Sequence, residues 1–183
     1  MPKRKTIPFT QKDIKSRLRY EDGKMYWLAR NNSRFDKQFA GKEAGSFNEG
    51  LQGFSVAFNG TRILLHRAVW VFHYGEIPEG MEIDHINQNR LDNRIENLRL
   101  SYRHQNAWNT KLRCNNQTGV KGVCWNPLTK TWRARINVNK KCVTIGSFVS
   151  FEEAKKATEN ARLDMHGEFA NLGHQGNEVM LCR

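Results

Sequence analysis

The chain has 183 residues, room for one ordinary domain or two small ones, with a formal net charge of +12 and a pI near 9.8. A hydrophobic fraction of 38%, with five Trp and ten Phe spread along the chain, excludes a disordered composition. No apolar run is long enough to span a bilayer, and Met1-Pro2-Lys3-Arg4-Lys5 is not followed by the apolar stretch of a secretory signal. A cytoplasmic location is therefore expected. The excess of Lys and Arg suits a polyanionic partner, nucleic acid before membrane, because no amphipathic basic helix of the membrane-binding kind is present. Cys114, Cys124, Cys142 and Cys182 form no C-x-x-C pair, so no structural zinc is expected.

In chain order, Thr10-Gln11-Lys12-Asp13 has the form of a capping box, predicting a short helix through about Arg19. Asp22-Gly23 marks a turn before a strand at Met25-Tyr26-Trp27. Residues 28–52 are polar and Gly-bearing and predict no defined element. Phe54, Val56 and Phe58 alternate toward one face, Asn59-Gly60 follows, and Arg62 to Leu65 completes a hairpin signal. His66 to Tyr74 reads as a helix, with Ala68, Val69 and Phe72 toward a core. It is broken by Pro78 and Gly80. A short strand at Met81 to Ile83, a turn through Asn87-Gln88-Asn89, a strand near Leu98 to Leu100 and a helix from a Ser101 cap to about Asn109 come next.

A second unit begins near Asn115. Val120 to Trp125, Thr131 to Val138 and Cys142 to Ile145 predict three strands, with turns at Asn126-Pro127-Leu128-Thr129 and Asn139-Lys140. Ser150-Phe151-Glu152-Glu153 has capping-box form. The helix it opens carries Ala154, Ala157, Ala161 and Met165 on one stripe and meets Gly167 at its end. The fold class expected is α+β, with a three-stranded antiparallel sheet packed on one helix at the rear. Between Asn97 and Phe151 there is no Asp or Glu. The same stretch carries Arg99, Arg103, Lys111, Arg113, Lys121, Lys130, Arg133, Arg135, Lys140 and Lys141. Such a one-signed run points to nucleic-acid contact rather than only a solvated face.

The segment richest in chemistry is Ile83-Asp84-His85-Ile86-Asn87, followed by Asp92-Asn93-Arg94, Glu96-Asn97-Leu98-Arg99 and His104-Gln105-Asn106-Ala107-Trp108-Asn109. Adjacent Asp and His at a strand end point to opposite sides of the backbone, so one can bind a metal while the other faces a water. Phosphodiester hydrolysis needs a deprotonated water, in-line geometry and a cation for the charge that builds on the phosphate. Histidine suits the first task, and the hard oxygens of Asp and Asn suit Mg²⁺. Asp92-Asn93-Arg94 reads as a turn-fixing group. His73 and His104 read as packing or surface residues, and His66 and Arg67 either reach a phosphate or serve capping and core roles.

On these residues, the stretch from His66 to Asn109 resembles the HNH, or ββα-metal, endonucleases of phages and mobile introns. The resemblance implies His85 as general base, Asp84 as a metal ligand and Asn97 as the brace of the loop between the two strands. It implies Asn106 as the second ligand, favoured over Asn109 by spacing. It also implies one Mg²⁺ (or Mn²⁺) ion and products with 5′-phosphate and 3′-hydroxyl ends. The paired zinc-binding cysteines of many family members are missing. Gly119 to Leu172 resembles the plant ethylene-response-factor DNA-binding domain through Lys121-Gly122-Val123, Trp125, Trp132-Arg133-Ala134-Arg135-Ile136, Ile145-Gly146-Ser147-Phe148 and Glu153-Ala154. Period two sets Arg133 and Arg135 on the face opposite Trp132, Ala134 and Ile136. Cys124, Asn126 and Thr144 stand where larger contacts are usual in that domain.

The expectation is a homing-type endonuclease, encoded by a phage and working in the host-cell cytoplasm as a monomer on double-stranded DNA. Residues 1–113 would form the nuclease domain, 114–173 the DNA-binding domain and 174–183 an irregular tail. Lys121, Trp125, Lys130, Arg133, Arg135, Lys140, Lys141, Arg99 and Arg103 are the expected DNA contacts. The alternative is a non-catalytic, sequence-specific DNA-binding regulator.

Overall fold

The computed structural model describes residues 9–58, 60–113, 115–138 and 141–173. Helix α1 (Gln11–Lys15) opens on a true capping box. Thr10 Oγ1 accepts from the Asp13 N–H, and the Asp13 carboxylate accepts from the Thr10 N–H at 2.8 Å. The helix is shorter than expected because the next residues pair. Strand β1 (Leu18–Glu21) lies antiparallel to β2 (Lys24–Trp27), in a register that leaves Asp22-Gly23 as a two-residue turn. Both turn residues have positive φ, 44° and 81°, the geometry that matches the twist of a tight hairpin. This pairing buries Leu18 and Met25 beside Ile14.

Helix α2 (Ser33–Phe39) occupies part of the stretch for which no element was expected. It is capped by Asn32, whose Oδ1 accepts from the Phe35 N–H, and it buries no residue, so no apolar stripe announces it. Strands β3 (Ser46–Asn48), β4 (Gly53–Phe58) and β5 (Thr61–Leu64) form an antiparallel sheet in that order. Asn59, one of the two expected turn residues, lies outside the described residues. Helix α3 (Leu65–Tyr74) runs one residue longer at its start than expected. It buries Leu65, Ala68, Val69 and Val71 against the core formed by Ile14, Val56 and Phe58.

Strand β6 (Met81–His85) reaches past its expected end to include both Asp84 and His85. It pairs antiparallel with β7 (Leu98–Tyr102), which places Asp84 opposite Arg99 and His85 opposite Leu98. Helix α4 (Arg103–Trp108) follows β7 without an intervening residue. Ser101 does not cap it. That residue is fully buried within β7, its hydroxyl donating to the Glu82 carbonyl, and the helix starts two residues later.

The chain divides into two compact units, the first ending at Tyr102 and the second beginning at Arg103, so α4 falls with the rear unit. There, β8 (Val123–Asn126), β9 (Thr131–Val138) and β10 (Lys141–Phe148) form an antiparallel sheet with β9 central, and helix α5 (Phe151–His166) packs on it. Its core holds Val120, Val123, Ala134 and Ala154, flanked by Trp132, Ile145, Phe148 and Phe151. Two expectations are corrected. Ser150 precedes α5 but makes no side-chain cap bond. The buried stripe is Ala154, Thr158, Arg162 and His166, while Met165 is 46% exposed. On this buried row Thr158 meets the chain at Gly122. Among the described residues no helix is long and apolar enough to cross a membrane.

Gly122 holds this packing together: its φ is +83°, and an added Cβ would stand 2.1 Å from the Arg135 carbonyl oxygen. Gly122→Ala is expected to destabilise the rear unit by about 1–3 kcal/mol. Urea unfolding followed by tryptophan fluorescence measures this; unchanged stability would contradict the close approach.

Candidate active site

The site is built at the end of β6 and in the loop that returns to β7. Asp84 and His85 are both buried, at 6% and 7% exposure. As neighbours on a strand they face opposite sides. The cross-strand partner of Asp84 is Arg99, whose Nε and Nη2 donate to Asp84 Oδ2 at 3.1 and 3.0 Å. Both bonds fall on one carboxylate oxygen. Burial of the pair is tolerable because the two charges meet with hydrogen bonds in place.

His85 pairs through Nε2 with Asn93 Oδ1 at 3.1 Å, and the His66 ring stands edge-on to it with centroids 5.0 Å apart. Because Asn93 presents its oxygen, Nε2 is the donor and the basic lone pair of the neutral ring lies on Nδ1. Burial depresses the pKa of His85, opposed by the Asn93 hydrogen bond and the Asp84 charge. A ring so placed is neutral near pH 7 and can accept a proton from water.

The loop itself hangs on Asn97, which is 7% exposed. Its Oδ1 accepts from the Asn87 N–H at 3.0 Å, while Nδ2 donates to Asn87 Oδ1 at 3.0 Å and to the Asp92 carbonyl at 2.8 Å. The Ile86 N–H donates to the Asn97 carbonyl, so main chain and side chain of one residue close the loop. Asp92 accepts from Arg94 Nε and Nη2, both at 2.9 Å, and from Asn87 Nδ2 at 2.8 Å. The Arg94 hydrogen bonds, above all, hold the Asp92 carboxyl down to about 2. From β1, Tyr20 Oη accepts from the Ile95 N–H at 3.1 Å.

These facts place the expected site residues. Asp84, His85 and Asn97 stand together in the front unit, joined by Arg99. Asn106 lies on α4 in the rear unit, half-buried. Asn109, just after α4, is buried and accepts from Asn171 Nδ2 at its carbonyl and at Oδ1. Two residues were not expected in these roles: Asn93, which holds His85, and Tyr20, which ties the loop to the first hairpin. The signal for Asn93 was its place in the Asp92-Asn93-Arg94 turn, but nothing local shows that its side chain reaches back to the histidine. Among the described residues no group of three or more His, Cys, Asp or Glu is placed to hold a metal. A cation at Asp84 would have to draw on amide, phosphate or water oxygens, a donor set that fits Mg²⁺ or Mn²⁺.

On the rear sheet, Arg133 and Arg135 share the face opposite buried Ala134 and Ile136. Arg135 Nη2 lies 3.3 Å from Cys124 Sγ. Trp125 is 46% exposed and tilts against Trp132, with centroids 5.1 Å apart. Lys130 and Lys141 are exposed, as is Arg103 at the start of α4, whereas Lys121 is half-buried; Lys140 lies outside the described residues.

Compared with known proteins, residues 64–108 match the HNH endonuclease family. Protein 3.8 of Escherichia phage T7 is 34% identical over 107 residues, covering 58% of this chain and 88% of that protein. A protein of Acanthamoeba polyphaga mimivirus named as an uncharacterized HNH endonuclease, L560, is 30% identical over 122 residues, which is 66% of this chain and 63% of its own length. No solved structure matches the chain. The match over residues 64–108 marks an HNH-type nuclease domain in a mixed α/β chain. The chain belongs to one family with protein 3.8 of phage T7, and its residues 64–108 carry the HNH endonuclease match.

Removing the Asn97 amide strips partners from Asn87 and from the Asp92 carbonyl. Asn97→Ala is expected to cost about 1–3 kcal/mol and to accelerate hydrogen exchange at the Asn87 amide. Exchange at the wild-type rate would contradict the brace.

Proposed function

We propose that this nuclease is a metal-dependent DNA endonuclease of the homing type, nicking one strand of double-stranded DNA to leave 5′-phosphate and 3′-hydroxyl ends. The observation that carries this reading is the buried His85, held by Asn93 and next in sequence to Asp84, within the stretch that matches the HNH family. In the proposed reaction His85 Nδ1 takes the proton of the attacking water, and the Asn93 bond keeps the ring in the tautomer that leaves Nδ1 basic. Asp84 and Asn106 are the proposed ligands of a divalent cation, with Asn106 preferred over Asn109 by its spacing from Asp84 and His85. When bound, Mg²⁺ or Mn²⁺ would supply charge stabilisation at the phosphate and the leaving oxygen. Asn97 holds the loop so that the histidine and the carboxylate keep their spacing.

The nuclease domain is proposed as residues 1–113 and a DNA-binding domain like that of ethylene-response factors as 114–173. The rear domain's Arg133 and Arg135 meet the duplex together with Trp125, Lys130 and Lys141. Linkage of the two raises the effective concentration of the second contact, which suits a monomer on an asymmetric site. Host-cell cytoplasm is the proposed setting. One observation favours the alternative of a non-catalytic regulator: Arg99 already neutralises Asp84.

Plasmid relaxation separates the two readings. With Mg²⁺ the wild type is expected to convert supercoiled to nicked DNA, chelator to abolish this, and His85→Ala to lower the rate roughly 10²–10⁴-fold while still binding. Binding without nicking by the wild type would support the regulator. Arg133→Ala combined with Arg135→Ala is expected to weaken binding and to flatten its salt dependence by about two in the log–log slope. An unchanged slope would remove these arginines from the interface.

A further inference from the structure

We infer that Lys121, Arg162 and His166 form a phosphate-binding site on the helix side of the rear unit. Arg162 lies mid-way along the buried row of α5, with only 9% of its surface exposed. Its Nε has no hydrogen-bond partner, and among the described residues no carboxylate pairs with it. One turn on, His166 is 4% exposed; its Nε2 donates to the Asn137 carbonyl at 3.1 Å, while Nδ1 has no partner. The Trp108 ring stacks on this imidazole at 4.2 Å and 10°, walling one side.

Lys121 enters from the segment that crosses α5 beside Thr158. A Cβ built on the neighbouring Gly122 would lie 3.3 Å from Thr158 Cγ2, which stands one turn before Arg162 on α5. Its Nζ donates to the Thr110 carbonyl, and its stem runs against Gly173. Burial and the Arg162 charge draw its pKa down to about 8, and the same two cations, after burial itself, depress His166. Two cationic donors and an imidazole whose Nδ1 is unpartnered thus converge, and no carboxylate pairs with Lys121 or Arg162 among the described residues.

A folded chain rarely buries an unpaired guanidinium, because the desolvation of a charge is recovered only by a partner. The chemistry that satisfies all three groups at once is a tetrahedral oxyanion: it accepts from the Arg162 fork, from the remaining Lys121 hydrogens and from His166 once protonated. The site lies off the sheet face that carries Arg133 and Arg135, since α5 covers the opposite face. The phosphate belongs either to the DNA backbone, in which case the inference rests on the DNA-binding reading above, or to a free phosphate or nucleotide.

The test uses the full chain with Arg162→Met, an apolar replacement that a buried unpaired charge tolerates, and Lys121→Gln as a second variant. Inorganic phosphate at constant ionic strength is expected to raise the wild-type Tm above the chloride control, and both variants are expected to lose that rise. In parallel, binding of a duplex across a salt series is expected to lose about one unit of log–log slope in Arg162→Met if the phosphate is DNA's. Loss of the Tm response with an unchanged slope assigns the site to a free phosphate, and a shallower slope alone assigns it to DNA. Retention of the phosphate response in both variants overturns the inference, as does its absence from the wild type together with an unchanged slope. The Tm arm needs neither cleavage nor DNA, so failure of the nuclease reading leaves it decisive.

Discussion

The side-chain amide of Asn97 is the constraint on which the front unit's chemistry depends. It reaches across the loop between β6 and β7 and takes both a donor and an acceptor from Asn87, then a third partner from the Asp92 carbonyl. An Asn can do this where an apolar residue cannot, because it offers a carbonyl and an NH₂ from one rigid plane. With those bonds in place the loop turns tightly, and Asn93 is delivered to the ring of His85. The hairpin of β1 and β2 supports the same loop from outside, through Tyr20 and through the close packing of Gly23 on Arg94.

The strand pairing then decides what the carboxylate meets. Register places Asp84 opposite Arg99, and the resulting ion pair fixes the acid at the strand end. Burial lowers the pKa of His85 and so favours its neutral ring, while the Asp84 carboxylate is met inside the strand pair by the Arg99 guanidinium. The strand thus carries the histidine and the carboxylate on consecutive residues that face opposite sides. The rear unit solves a different problem, presenting arginines on one sheet face while the helix covers the other.

Much of this was legible in the residues. The alternation of Val56 and Phe58, the period of α3 and the three rear strands follow from side-chain patterning that burial enforces. Asp84, His85 and Asn97 stood out because their chemistry is local to one short segment. What escaped depends on contacts distant in sequence or on charges where apolar residues are usual. Helix α2 buries nothing and has no stripe to read. Asn93 acts by a bond to a residue eight positions earlier. Arg162 and Thr158 occupy the buried row of α5, a place that a hydrophobic pattern assigns to Ala157, Ala161 and Met165. Ser150 carries the letters of a cap without making its bond, since letters specify only that a bond is possible.

The proposed chemistry requires a divalent cation at the end of β6. Titration of Mn²⁺ into isotopically labelled protein, read by paramagnetic broadening of backbone amide signals, measures this directly. Broadening should centre on Asp84, His85 and their β7 neighbours at substoichiometric Mn²⁺, and should vanish in Asp84→Ala. Broadening centred elsewhere, or undiminished in that variant, would contradict the assignment of Asp84 as a ligand.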